Sequence, residues 1–162
     1  MNREELAINY FYKGYNCTQA IVLAFKDLID IDENKLLKIA SPFGGGMSRL
    51  REVCGAFSGI VIVAGYLFGY DDNDTGAKKN ELYSRIQELA KEFEKENGSL
   101  TCRKLLNKGV VHDNPISEKR TPNFYKNRPC PKIIGSAAKI LNDYIKENDI
   151  VWYNIYVLIE EQ

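Results

Sequence analysis

Neither sign of charge is in excess in this chain. Lys and Arg total 22, as do Asp and Glu, for a formal net charge of zero. A partner held by bulk charge, nucleic acid above all, is therefore not expected. The loose basic stretch KRTPNFYKNRPCPK (119–132) reads as a solvated loop. Histidine occurs once, at His112. One imidazole in an irregular polar segment leaves no arguable Ser–His–Asp arrangement, and a lone loop histidine is more often neither ligand nor proton carrier. Long apolar runs are missing too. The longest, 53–68, has 16 residues, three of them glycine. That is short of the roughly 20 residues that cross a bilayer. The first residues, MNREELAINYFYKGYN, lack the basic and apolar regions of a secretion signal. The expectations are no membrane, no nucleic acid and a cytoplasmic location.

Several short motifs are also absent. No two cysteines are spaced as CxxC, which excludes a thioredoxin-type pair and a zinc ribbon. No CxxCH is present, which excludes covalently attached haem. Gly44-Gly45-Gly46 is not followed by GK[ST], so it is not a phosphate loop. Asp71, Asp72 and Asp74 lack the spaced terminal Glu of a calcium loop.

What remains is helical in pattern. The length of 162 residues and 44% hydrophobic content suit one domain with a real core. Helices are expected over 3–12, over 17–29 behind an Asn16 cap, and over 33–40 behind an Asp32 cap. FGGGMS (43–48) reads as a turn. A fourth helix, from about Leu50 to Phe68, is apolar nearly all round and should lie at the centre. Others are expected over 76–97, over 100–107 behind Ser99, and over 131–147 with Pro131 in its first turn. Residues 108–129 read as a long irregular connection. The fold class is all-α: a single bundle-like domain of six or seven helices over 1–148. Residues 149–162 form an apolar C-terminal extension of that domain. IVWYNIYVLIE fits strand or helix, and its apolar faces make it an expected homodimer contact.

The four cysteines carry the chemistry. Cys17, Cys54, Cys102 and Cys130 all fall at expected helix N-termini. There the free N–H groups and the positive dipole end favour a thiolate, which is both the nucleophile and the metal ligand. The competing reading of any one of them is a small buried apolar filler. Gly55 and Gly59 share a helix face, so another helix can approach closely and bring its own thiol towards Cys54. A turn delivering Arg49 and Arg51 near Cys54 would favour its thiolate further. Cys54 is thus the expected attacking thiol.

These residues together resemble a known family of redox-active proteins named for its cysteine pattern, C-GCAxxG-C-C. The matching features are Cys17 in NCTQA, GGGMSRLREVCGAFSG with Cys54, Gly55, Ala56 and Gly59 in CGAxxG, Cys102 in TCRKLL, and Cys130 in CPKIIGSAAKIL. GGGMSRLRE departs from a more glycine-rich run before CGA. The resemblance covers about residues 5–145 and implies a small helical protein with a redox role. A similar domain occurs joined to haem-binding segments in certain cytochromes, with an iron–sulfur site suggested; the haem part has no counterpart here.

Two chemistries follow. In the first, Cys54, Cys17, Cys102 and Cys130 perform thiol–disulfide or electron-transfer chemistry without a cofactor. The partner is then a redox protein or a small thiol or disulfide, and an enzyme, a thiol–disulfide oxidoreductase, is one form of it. In the second, the same four cysteines bind zinc or an iron–sulfur cluster. At least three of the four sulfurs are expected in one cluster, within disulfide or shared-metal reach of one another.

Overall fold

The computed structural model describes residues 1–160 other than 74, 75, 108, 110 and 111, with side chains through residue 148. Two helices open the chain, and both start in capping boxes. Asn2 and Glu5 exchange hydrogen bonds at the head of Arg3–Tyr12 (α1), and Asn16 and Gln19 do so at the head of Cys17–Ala24 (α2). Each box satisfies two of the N–H groups a helix start leaves open. Helix α2 stops at Ala24, short of the expected Ile29, and a single 3-10 turn, Lys26–Leu28, follows. Asp32 accepts from the Lys35 N–H and caps Glu33–Ala40 (α3).

The fourth helix corrects the sequence reading. It spans Gly55–Phe68 (α4), with Cys54 at its N-cap, and does not begin at Leu50. Left-handed backbone is the reason. Gly45, Gly46, Met47, Ser48, Arg49 and Arg51 all have φ between 51° and 70°. An L side chain adopts that region at a cost of order 1–3 kcal/mol, so it survives where surrounding contacts impose it. Here the contacts are identifiable. Glu52 N–H donates to the Gly46 carbonyl at 3.0 Å, and Cys54 N–H to the Leu100 carbonyl at 2.7 Å. Cys102 N–H in turn donates to the Glu52 carbonyl at 2.6 Å. One isolated antiparallel bridge, Val53 with Thr101, sits among them.

Four helices complete the chain: Ala77–Asn97 (α5), Cys102–Leu105 (α6), Pro122–Lys126 (α7) and Cys130–Glu160 (α8). The short α7 lies inside the stretch read as irregular. Thr121 caps it, accepting from the Phe124 N–H at 3.2 Å, and Pro122 takes its first position. Helix α8 begins one residue before the expected Pro131 and runs unbroken to Glu160, so the tail is helix and not strand. The burial of the tail's side chains and its dimer role lie outside the described residues, as does Asp74.

The fold is all-α and bundle-like. Helix α2 packs on α1 and α4, while α8 packs on α1 and α5. As its composition implies, α4 is central: Gly55–Ile60, Val63 and Ala64 are all buried. Phe11, Phe25, Phe93, Ile21 and Ile134 are fully buried in the same core. Among the described residues no helix is long and apolar enough to cross a membrane.

Candidate functional site

Each thiol does stand at a helix start. Cys17, Cys102 and Cys130 are the first residues of α2, α6 and α8, and Cys54 is the cap of α4. Small residues bring these ends together. A Cβ added at Gly59 would lie 2.6 Å from Ile21 Cβ, and one at Gly55 would lie 3.1 Å from Cys17 Cβ. Helix α4 therefore lies nearly backbone-to-backbone on α2, which carries Cys17 to Cys54 as its small face implied. Thr18, which sequence reasoning passed over, ties the two starts together: its buried hydroxyl donates to the Gly55 carbonyl at 2.7 Å. Gly46 does the same for Cys102, whose Cβ would be 2.5 Å from a Cβ placed there.

All four cysteines line one small apolar cavity of about 20 Å³, together with Ala56, Leu106 and Ile134. All are free thiols. Cys17 and Cys130 are neighbouring thiols whose ionisations act on one another. Cys17, Cys102 and Cys130, but not Cys54, also reach a second, larger cleft of about 190 Å³. Cys54 is thus the one thiol of the four that does not line this cleft.

The electrostatics separate them again. Cys130 is brought down to about 7, first by the hydrogen bond from Cys17 and then, against the cost of burial, by the Arg128 and Arg51 guanidiniums. Cys17 is pushed well up, first by its interaction with the neighbouring Cys130 thiolate, then by loss of solvent around its sulfur, and by the charge of the other sulfurs it faces. Cys54 is pushed up to about 12 by burial, which outweighs the Phe57 and Ala56 N–H groups directed at it. Cys102 is also raised by burial, with Arg51 opposing.

The expectation of a lowered Cys54 pKa is therefore reversed. With 7% of its surface exposed, Cys54 loses more from desolvation than a helix start returns. Arg49 and Arg51 do not serve it either. Arg51, 3% exposed, points Nη1 at Cys102 Sγ (3.8 Å) and Nε at Asp113 (2.7 Å). Arg49 donates to the Asn114 carbonyl at 2.7 Å and pairs with Asp113 and Glu118. The basic stretch read as a solvated loop instead supplies Arg120 and Arg128 to the larger cleft. Arg128, two residues before Cys130, was legible from proximity alone. Arg120 and Glu118 carry no comparable signal.

The arrangement does not fit a ready-made metal centre. Among the described residues, no group of three or more His, Cys, Asp or Glu side chains is placed to hold a metal ion. His112 sits in neither the thiol cavity nor the larger cleft, and faces Glu52 at 3.5 Å. The four thiols share a cavity, but the expected group of three within reach of a shared metal is not present among the described residues.

Comparison with curated proteins and with solved structures gives no match. A family model matches residues 15–144, from just before Cys17 to well beyond Cys130. The chain thus belongs to the family described as "putative redox-active protein (C_GCAxxG_C_C)".

Proposed function

We propose that the protein is a thiol–disulfide redox protein in which Cys130 attacks and Cys17 resolves. The observation that carries this reading is the placing of Cys17 and Cys130 together, each at a helix start, in the wall of one cleft and one cavity. A thiolate attacks disulfide sulfur, and a neighbouring thiol then closes the protein disulfide.

The Cys130 thiolate attacks one sulfur of an external disulfide, R–S–S–R′. A Cys130–S–S–R bond forms and R′S⁻ leaves. Cys17 gives up its proton, which goes through the cleft to the departing thiolate. The Cys17 sulfur then attacks Cys130 Sγ, forming the Cys17–Cys130 disulfide and releasing RS⁻. Two electrons pass from the cysteine pair to the substrate, and an external dithiol returns the pair to its reduced form. Cys102, beside Arg51, is a third thiol within reach of the cleft, while Cys54 supports the packing of the shared cavity.

Limited treatment of the reduced protein with oxidised glutathione, followed by peptide mass mapping, tests this. The expected product is a Cys17–Cys130 disulfide, and Cys17→Ala should instead accumulate a mixed disulfide at Cys130. A first bond at another pair would overturn the assignment of roles. Stoichiometric zinc, or iron with sulfide, in anaerobically purified protein would make the thiols ligands and overturn the reading itself.

A further inference from the structure

The larger cleft is more than an access route to the thiols. Arg49, Arg51, Arg120 and Arg128 line it, and Glu118 is the one carboxylate among its described lining residues. Three guanidiniums converge on a single oxygen. Arg49 Nη1 lies 3.4 Å and Arg51 Nη2 3.9 Å from Glu118 Oε1, and Arg128 Nη2 donates to the same atom. The side chains of Arg49, Arg51 and Arg128 are 17%, 3% and 13% exposed, whereas that of Glu118 is 42% exposed. The cations are built into the wall; the anion reaches them from an irregular surface segment. Asp113 contacts Arg49 and Arg51, so two of these cations have a second anion, but Asp113 does not line the cleft.

Arg120 completes the pattern. It stacks over the Phe11 and Phe124 rings at 4.6 and 4.7 Å and donates to the Tyr15 carbonyl at 3.5 Å. It has no carboxylate partner among the described residues. Stacked guanidiniums keep their planar fork ready for a carboxylate. Buried cations need an anion, and one delivered from a half-exposed loop side chain can be exchanged for another.

We propose that this cleft is an anion subsite for the reaction at Cys130. It takes the carboxylate-bearing arm of a small thiol or disulfide, and Glu118 occupies that carboxylate's place until the arm arrives. The volume limits the size: about 190 Å³ is below the roughly 300 Å³ at which drug-sized sites begin, so one short arm fits and a bulky ligand does not. The inference rests on Cys130 as the reacting thiol of the proposed function, and it adds the charge of the substrate.

Alkylation of Cys130 tests the site without any disulfide exchange. Iodoacetate and iodoacetamide deliver the same carbon with and without a carboxylate. Their rate ratio at Cys130, read by peptide mass spectrometry, is compared with the ratio in the urea-unfolded chain. The ratio in the folded protein should be about tenfold higher, as expected for a cation-lined cleft, and should fall with added salt. It should drop about threefold in Arg120→Gln, return in Arg120→Lys, and rise about threefold in Glu118→Gln, the weight of one partly solvated charge. Equal ratios in folded and unfolded chain, unmoved by Glu118→Gln, would overturn the proposal. An elevated ratio in a protein that fails to exchange with oxidised glutathione would keep the anion site and sink the redox reading instead.

Discussion

At pH 7 the folded, reduced protein is expected to be alkylated by iodoacetamide at Cys130 at least 100-fold faster than at Cys54. Cys130 lies at about 7 and Cys54 at about 12, so their thiolate fractions differ by a factor on the order of 10⁴ to 10⁵. The more basic thiolate is intrinsically the better nucleophile, which returns roughly two powers of ten. Burial of Cys54 then adds to the difference that remains. The sign with pH is fixed by the same shifts. Reaction at Cys130 rises as pH climbs through about 7 and is lost below it, while Cys54 stays protonated across the whole neutral range.

Cys17→Ala removes the hydrogen bond that leads the Cys130 shift. A hydrogen bond to a charged group contributes about 1.5–3 kcal/mol, so the Cys130 pKa should rise by about 1–2 units towards the ordinary thiol range. The check is the pH profile of Cys130 alkylation in both proteins. An unmoved profile in Cys17→Ala, or comparable rates at Cys54 and Cys130, would remove the basis for the division of roles.

Gly59→Ala is expected to destabilise the protein by about 1–3 kcal/mol, the usual range for overpacking a tight core. Two effects oppose one another. Alanine is the better helix former by about 1 kcal/mol in an exposed helix. At this position its Cβ would meet Ile21 Cβ at 2.6 Å and Cγ2 at 2.9 Å. Ile21 Cβ is fixed to the α2 backbone and cannot swing aside, so α2 and α4 must separate. Overpacking therefore wins. The thermal midpoint should fall by several degrees, at about 2–4 °C per kcal/mol for a domain of this size. Urea and thermal unfolding of the reduced protein give the measurement. A Gly59→Ala protein as stable as the parent would show that the α2–α4 contact is looser than these distances imply.

Helix starts were legible because they depend on neighbours in sequence. Asn16 with Gln19, and Asp32 with the Lys35 N–H, are caps built from residues three apart, and both appear where composition put them. The small face of Gly55 and Gly59 was legible for the same reason. Illegible was the start of α4, because apolar periodicity carries no information on φ. Residues 45–49 and 51 are left-handed through bonds to Leu100 and Cys102 and across the Gly46–Glu52 turn, and the first two partners lie some 50 residues away. The role of Arg51 was missed likewise: its neighbour in the chain is Cys54, but its neighbour in space is Cys102.

The sequence by itself determined that there are four thiols, that each opens or caps a helix, and that α4 can lie close against another helix. These follow from residue type and spacing of a few positions. Only the tertiary structure decided which thiol ionises. A helix start offers each of the four a similar local benefit, so the difference comes from burial and from distant charges. Cys54 is sealed in the core and driven up; Cys130 meets the Cys17 thiol and the Arg128 and Arg51 guanidiniums and is brought down. Desolvation and Coulomb interaction act through space, and the chain sets those distances only when it folds.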